Sequence, residues 1–183
     1  MSRELAVLQL VCERLDGAKI PYMLTGSLAA HFYATPRMTR DIDIVLELFK
    51  LDIERFFELF QGDFYVVKKS ISEAVNYESI FNIIHNDSVF KVDFIIRKNS
   101  KYRATEFERR RWIELGDFGS WVVSPEDLII SKLHWAKESF SQMQMNDVKN
   151  LISSVNNLDK RYIDKWVQEL GLQAIYEKVR CNE

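Results

Sequence analysis

Five residues have types and spacing suited to chemistry on phosphate: Asp41, Asp43, Asp93, Gly26 and Ser27. Asp41-Ile42-Asp43-Ile44-Val45 reads as a strand. Side chains alternate with a period of two, so both carboxylates project to one face and Ile42 and Ile44 to the other. The two acids are then about 7 Å apart at their Cα atoms, and they repel unless a cation lies between them. Mg²⁺, a hard ion that takes oxygen ligands and keeps places for water or substrate phosphate, suits that position. A second ion sharing one carboxylate would give the paired-metal arrangement that favours in-line attack on phosphorus.

Asp93 sits in Lys91-Val92-Asp93-Phe94-Ile95-Ile96, a strand that is apolar apart from Lys91 and this acid. A lone carboxylate in such a run is costly without a partner. Taken alone, it suits an ion pair with Lys91 or Arg97. If its strand lies beside that of Asp41, the three acids converge, and Asp93 could bind metal and accept a proton from an attacking hydroxyl. Gly26-Ser27 follows the apolar run Tyr22-Met23-Leu24-Thr25 and opens a helix. A glycine that lets the backbone approach, the N–H groups of a helix start and a serine hydroxyl together make a site for a triphosphate.

The elements that must position these groups can be read along the chain. The first seventeen residues carry Leu5, Leu8, Val11, Cys12 and Leu15 at helical spacing, with Gly17 as the stop. A helix is expected over 28–33 and another over 51–60, with strands at 22–25, 41–45, 64–68, 80–85 and 90–96. Asn86-Asp87 turns the last two strands into a hairpin. The basic stretch 101–111 reads as helix, and 112–115 with 121–123 as a second hairpin turned within 116–120. Ser124-Pro125-Glu126-Asp127 is a helix start, with a capping serine, proline at the first position and acids in the first turn. Helices are expected at 125–139, 142–154, 159–170 and 173–180. The expected fold class is α+β: a mixed sheet flanked by helices over 1–123, with a helical C-terminal part over 124–183 packed on it as one unit.

Composition agrees with a single globular chain. The 183 residues are 47% hydrophobic and 28% charged, with a net charge of −2, so no global positive field would draw in a long nucleic acid. Two cysteines, Cys12 in an apolar stretch and Cys181 near the end, do not form a disulfide framework. No leader pattern opens the chain and no apolar run approaches about 18 residues, so the expected location is the cytoplasm, without membrane attachment.

Tyr22 to Val45, read as strand, Gly26-Ser27, short helix and Thr39-Arg40-Asp41-Ile42-Asp43, resembles the nucleotidyltransferase superfamily related to DNA polymerase β. Ser124-Pro125-Glu126-Asp127-Leu128-Ile129-Ile130-Ser131-Lys132-Leu133, followed by Asp147-Val148, further resembles the small prokaryotic AbiEii/AbiGii-type nucleotidyltransferases. The resemblance spans roughly residues 20–170 and implies nucleotide transfer from an NTP with one or two Mg²⁺ ions. It implies that Gly26 and Ser27 bind phosphate and that Asp41, Asp43 and Asp93 bind metal. Lys132 and Asp147 match a Lys and a later Asp in the C-terminal helices of such proteins, where a Lys near the triphosphate would stabilise charge on the leaving pyrophosphate. Asn146 departs from the pattern, which often has a basic residue before that Asp. Members of the group include toxins of toxin–antitoxin pairs, which makes an antitoxin-type protein a candidate partner. The acceptor of the nucleotide (protein, tRNA end or small molecule) is not fixed by any of these residues.

Lesser candidates have plainer readings beside functional ones. Arg37 and Arg40 flank the carboxylate strand and suit either a phosphate or surface acids. The basic concentration from Arg97 to Arg111 is interrupted by Glu106 and Glu108 and reads better as a solvated helix face than as a nucleic-acid contact. His31, His85 and His134 are not spaced as a metal cluster, and Trp112, Trp121, Trp135 and Trp166 read as packing residues. The alternative to an enzyme is a catalytically silent nucleotide- or protein-binding module on the same fold. A sugar-nucleotide D-x-D enzyme would need a larger half before the motif than forty residues, and no further acid or His motif supports a metal nuclease.

Overall fold

In a computed structural model that describes residues 2–36, 38, 39 and 41–180, the apolar runs form one seven-stranded mixed sheet. The strands are β1 (Tyr22–Thr25), β2 (Asp41–Leu46), β3 (Phe64–Tyr65), β4 (Ile80–His85), β5 (Lys91–Ile96), β6 (Arg111–Leu115) and β7 (Phe118–Val122). Their spatial order is β3-β4-β5-β2-β1-β7-β6. β2 runs parallel to β5 and β1 parallel to β7, while the other neighbours are antiparallel. Around the sheet lie α1 (Arg3–Gly17), α2 (Gly26–Ala30), α3 (Ile53–Phe60), α4 (Lys68–Tyr77), α5 (Lys101–Glu108), α6 (Pro125–Ser139), α7 (Gln142–Ser154), α8 (Lys160–Glu169) and α9 (Gln173–Arg180). The fold is mixed α/β with a helical C-terminal part, and no helix among the described residues is long and apolar enough to cross a membrane.

The period-two alternation of β2 and β5 divides the sheet into an apolar face and a face with polar groups. Ile42, Ile44 and Leu46 of β2 and Val92, Phe94 and Ile96 of β5 are buried on one side. Against them α3 presents Phe56, whose ring meets Phe81 and Phe94 edge-on at centroid distances of 5.4 and 5.2 Å. Burying one such ring contributes about 2–3 kcal/mol, so truncating Phe56 would cost more than any exposed change on α3. On α1, Leu8, Val11, Cys12 and Leu15 are buried, and Cys12 donates to Ser120 of β7 across 3.4 Å. Burial pushes the Cys12 thiol up to about 11, which makes it an inert core group.

The start of α6 is fixed by a buried polar network. Ser124 Oγ accepts from the Asp127 amide at 3.2 Å and donates to Asp127 Oδ2 at 2.6 Å, and Tyr162 of α8 donates to Asp127 Oδ1 at 2.6 Å. Arg109 closes the shell with a bond to Asp127 Oδ2 at 3.0 Å. Here the structure corrects the expected solvated basic face: Arg103 pairs with buried Glu106 at 2.7 Å, and Arg109 with Asp127 and with buried Glu126 at 3.4 Å. These guanidiniums hold acids that would otherwise be too costly to bury.

Other local expectations are also corrected. The strand expected at 64–68 covers only Phe64–Tyr65, and α4 follows where no helix was expected. Its apolar stripe is narrow, with Ile71 and Ala74 alone buried. The helix expected over 28–33 starts at Gly26 and ends at Ala30. The helix expected over 101–111 ends at Glu108, because Arg111 already pairs with Val122 in the β6–β7 hairpin. That hairpin turns at Gly116-Asp117, so β7 begins at Phe118 rather than at 121. Of the tryptophans expected in packing, Trp112 and Trp135 are close to half exposed.

Candidate active site

The site begins where β1 passes into α2. Thr25 lies opposite Asp43 in the antiparallel pairing of β1 and β2. The next residue, Gly26, has φ +69°, and a Cβ on it would stand 1.9 Å from Asp43 Oδ2. Only glycine both adopts that conformation readily and lets the backbone press against the carboxylate. Ser27 follows, buried, in the first turn of α2.

The parallel register of β2 and β5 sets the acids. Asp43 is directly opposite Asp93, and Asp41 directly opposite Lys91. On the other side of Asp93 stands Asn82 of β4. Three neighbouring strands therefore carry a polar row, Asp43–Asp93–Asn82, and two residues further along an apolar row, Val45–Ile95–Ile80. Adjacent strands are about 4.8 Å apart, so the Asp43 and Asp93 carboxylates are near neighbours. Burial, then the charges of Asp93 and Asp41, push the Asp43 carboxyl up to about 6, against the pull of Lys132 and Lys91.

Lys91 brings positive charge to two of the acids. Its Nζ lies 2.8 Å from Asp93 Oδ2 and 3.4 Å from Asp41 Oδ1. The hydrogen bond to Asp93, with the charges of Asp93 and Asp41, holds the ammonium's pKa above its ordinary value despite desolvation. Among the described residues no group of three His, Cys, Asp or Glu side chains is arranged to hold a metal ion. Asp43 and Asp93 nevertheless offer the donor chemistry of a divalent site: all-oxygen, anionic and mutually repelling.

From the opposite side α6 brings Lys132, whose side chain is only 4% exposed. Its Nζ donates to Asp147 Oδ2 at 2.7 Å and to Gln144 Oε1 at 3.0 Å, both on α7. A cleft of about 730 Å³ separates α6 from the polar face of the sheet, and Gly26, Ser27, Asp43, Asp93 and Lys132 all line it. Asp41 stands at the start of its strand, half exposed and beyond the lining residues, and Asp147 stands behind Lys132. Arg40 and Arg37, like Cys181, lie outside the described residues. A more open hollow of about 600 Å³ between α1 and the β4–β5 turn gathers no comparable set of groups.

Two features of the cleft escaped the sequence reading. Trp135 is 46% exposed and lines the cleft one helical turn beyond Lys132, a position that i, i+3 spacing could have indicated. Lys91, one of the two partners the sequence offered for Asp93, is the one that pairs with it, since it shares the face of Asp93 by the period of two. Arg103, Glu106 and Ser131 form a linked trio on the cleft wall, with Arg103 Nη1 donating to both partners at 2.7 Å and Ser131 Oγ donating to Glu106 at 2.5 Å. Within that trio Arg103 and Glu106 follow the i, i+3 spacing of one helix, while Ser131, 28 positions from Arg103, has no local signal.

No protein-family model matches the chain, and no curated protein matches it in sequence. Solved structures match it in fold. A nucleotidyltransferase-like antigenic protein of Paracoccidioides brasiliensis is 18% identical with a TM-score of 0.54, over 96% of this chain and 93% of that one. A putative nucleotidyltransferase of Thermotoga maritima is 17% identical with a TM-score of 0.55, over 78% and 92%. A lincosamide antibiotic adenylyltransferase with bound lincomycin is 14% identical with a TM-score of 0.54, over 85% and 98%. The likeness is one of fold, and the chain has the mixed α/β fold of these nucleotidyltransferases.

Proposed function

We propose that the chain is a Mg²⁺-dependent nucleotidyltransferase that moves a nucleoside monophosphate from an NTP to a hydroxyl acceptor. The observation that carries this reading is the opposition of Asp43 and Asp93 across β2 and β5, with the Gly26 backbone on one side and Lys132 on the other. Gly26 and Ser27 would hold triphosphate oxygens, with Arg40 as a further phosphate contact. Asp43 and Asp93 would hold the metal, joined by Asp41. The ion would supply charge neutralisation at the reacting phosphate.

The remaining work falls to protein groups. The acceptor oxygen forms a bond to the α-phosphorus as the bond to the β-phosphate bridging oxygen breaks, and pyrophosphate leaves. Asp93 would take the hydroxyl proton. Lys132, aimed by Asp147 and Gln144, would stabilise charge on the pyrophosphate. The adenylyltransferase with bound lincomycin supports a small molecule as acceptor; a protein hydroxyl and a tRNA end are the others. The resemblance of residues 124–148 to AbiEii/AbiGii-type proteins supports a toxin role with an antitoxin-type partner.

One observation favours a second reading, a silent nucleotide-binding module: an ammonium already sits between Asp41 and Asp93. Incubation with each α-labelled NTP, Mg²⁺ and a cell extract separates the two. Covalent label on an acceptor supports the transferase, and nucleotide binding without transfer supports the module.

A further inference from the structure

We propose that Lys91 is a resident cation of the carboxylate site, which Mg²⁺ has to displace, so that metal loads together with the nucleotide rather than before it. The inference rests on the reading of Asp43 and Asp93 as metal ligands. Lys91 Nζ is within 2.8 Å of Asp93 and 3.4 Å of Asp41, which ties two of the three acids to one ammonium. The carboxylate of Asp43, the third, makes no hydrogen bond or ion pair with the described residues. The free protein thus has Asp41 and Asp93 in direct contact with a cation, while Asp43 feels Lys132 and Lys91 only at a distance.

A divalent ion binding between Asp43 and Asp93 shares its ligand with Lys91, and two cations on one carboxylate repel. The lysine stem is flexible and its side chain is 38% exposed, so the ammonium can swing out. Its ion-pair partners in the free protein are Asp41 and Asp93, and a further anion nearby would draw it away from Asp93. A triphosphate entering beside Gly26 and Ser27 provides one, and it also brings phosphate ligands for the metal. Nucleotide and metal are therefore coupled through one side chain: each raises the other's affinity.

Mn²⁺ binding to the full chain, followed as loss of the free-ion EPR signal, tests this without any turnover. The arms are wild type, Lys91→Met, Lys91→Gln, Lys98→Met and Asp43→Asn, each with and without a non-hydrolysable NTP analogue. Lys98 lines the cleft and controls for the general loss of one positive charge near it. Wild type is expected to bind Mn²⁺ weakly alone and roughly tenfold or more tighter with the analogue. Both Lys91 variants should gain roughly tenfold without the analogue, with a smaller further gain on adding it. Thermal melts confirm that each variant is folded, and the two Lys91 variants check each other.

Unchanged or weaker Mn²⁺ binding in both Lys91 variants overturns the inference, as does an equal gain in Lys98→Met. If wild type binds Mn²⁺ tightly alone and Asp43→Asn removes it, the role of Lys91 fails while the metal site stands. If no arm binds Mn²⁺ even with the analogue, the metal reading falls, and this inference with it.

Discussion

Gly26 and Asp43 are in such close approach that no side chain fits between them: a Cβ on Gly26 would lie 1.9 Å from the Asp43 carboxylate. Gly26→Ala must therefore both hold a left-handed backbone and push the acid aside. The expected cost is about 2 kcal/mol or more, from strain and overlap together. Urea unfolding should show the loss, and transfer should fall with it. An alanine variant of wild-type stability would mean that the two groups do not meet.

Asp43 also makes stability depend on pH in an unusual direction. Its carboxyl is raised from the ordinary 3.8 to about 6 in the folded chain. The folded state then holds a proton that the unfolded chain releases. The stabilisation is complete below pH 3.8 and is lost as pH rises through about 6. In metal-free buffer the ionised acid costs at most about 3 kcal/mol. Asp43→Asn should therefore raise the urea midpoint at pH 7.5 and change it little at pH 4, while abolishing transfer. Equal effects at both pH values would contradict the burial of an ionised group.

Lys132 and Asp147 form a buried ion pair at 2.7 Å, with side-chain exposures of 4% and 11%. Removing either partner takes a close counter-charge from a largely buried charge, at a cost of up to about 3–5 kcal/mol. Lys132→Met and Asp147→Leu should each lower the melting temperature sharply, and the double variant should lose clearly less than the sum. Additive losses in such a double-mutant cycle would show that the pair is not coupled.

Much of this was legible in the sequence, for physical reasons. The runs at 22–25, 41–46, 80–85 and 91–96 are short and apolar enough to identify themselves as buried strands. The period of two places Asp41 and Asp43 on one face without any structure. α4 was hidden because only Ile71 and Ala74 of its ten residues are buried. The long-range partners of Arg103 and Arg109 were hidden for another reason: Ser131, Glu126 and Asp127 lie 17 to 28 positions away, and charge runs carry no register. Strand order decided the site, and it is a property of the whole sheet. Only the parallel pairing of β2 with β5 puts Asp93 against Asp43 and Lys91 against Asp41.

Trp135 gives a spectroscopic handle on the cleft. It is 46% exposed beside the apolar row Val45–Ile95–Ile80, within reach of a planar ring. NTP binding should quench tryptophan emission, tripolyphosphate should not, and Trp135→Phe should remove the quench. Quenching that survives Trp135→Phe would place the base elsewhere.

The central claim is that the chain transfers nucleotide through Asp43 and Asp93. Its most direct test is release of pyrophosphate and label from an α-labelled NTP with Mg²⁺ and acceptor extract, comparing wild type with folded Asp43→Asn and Asp93→Asn. The account predicts labelled acceptor with wild type and none with either variant. Equal labelling by wild type and both variants would contradict it, as would nucleotide binding by wild type with no pyrophosphate released.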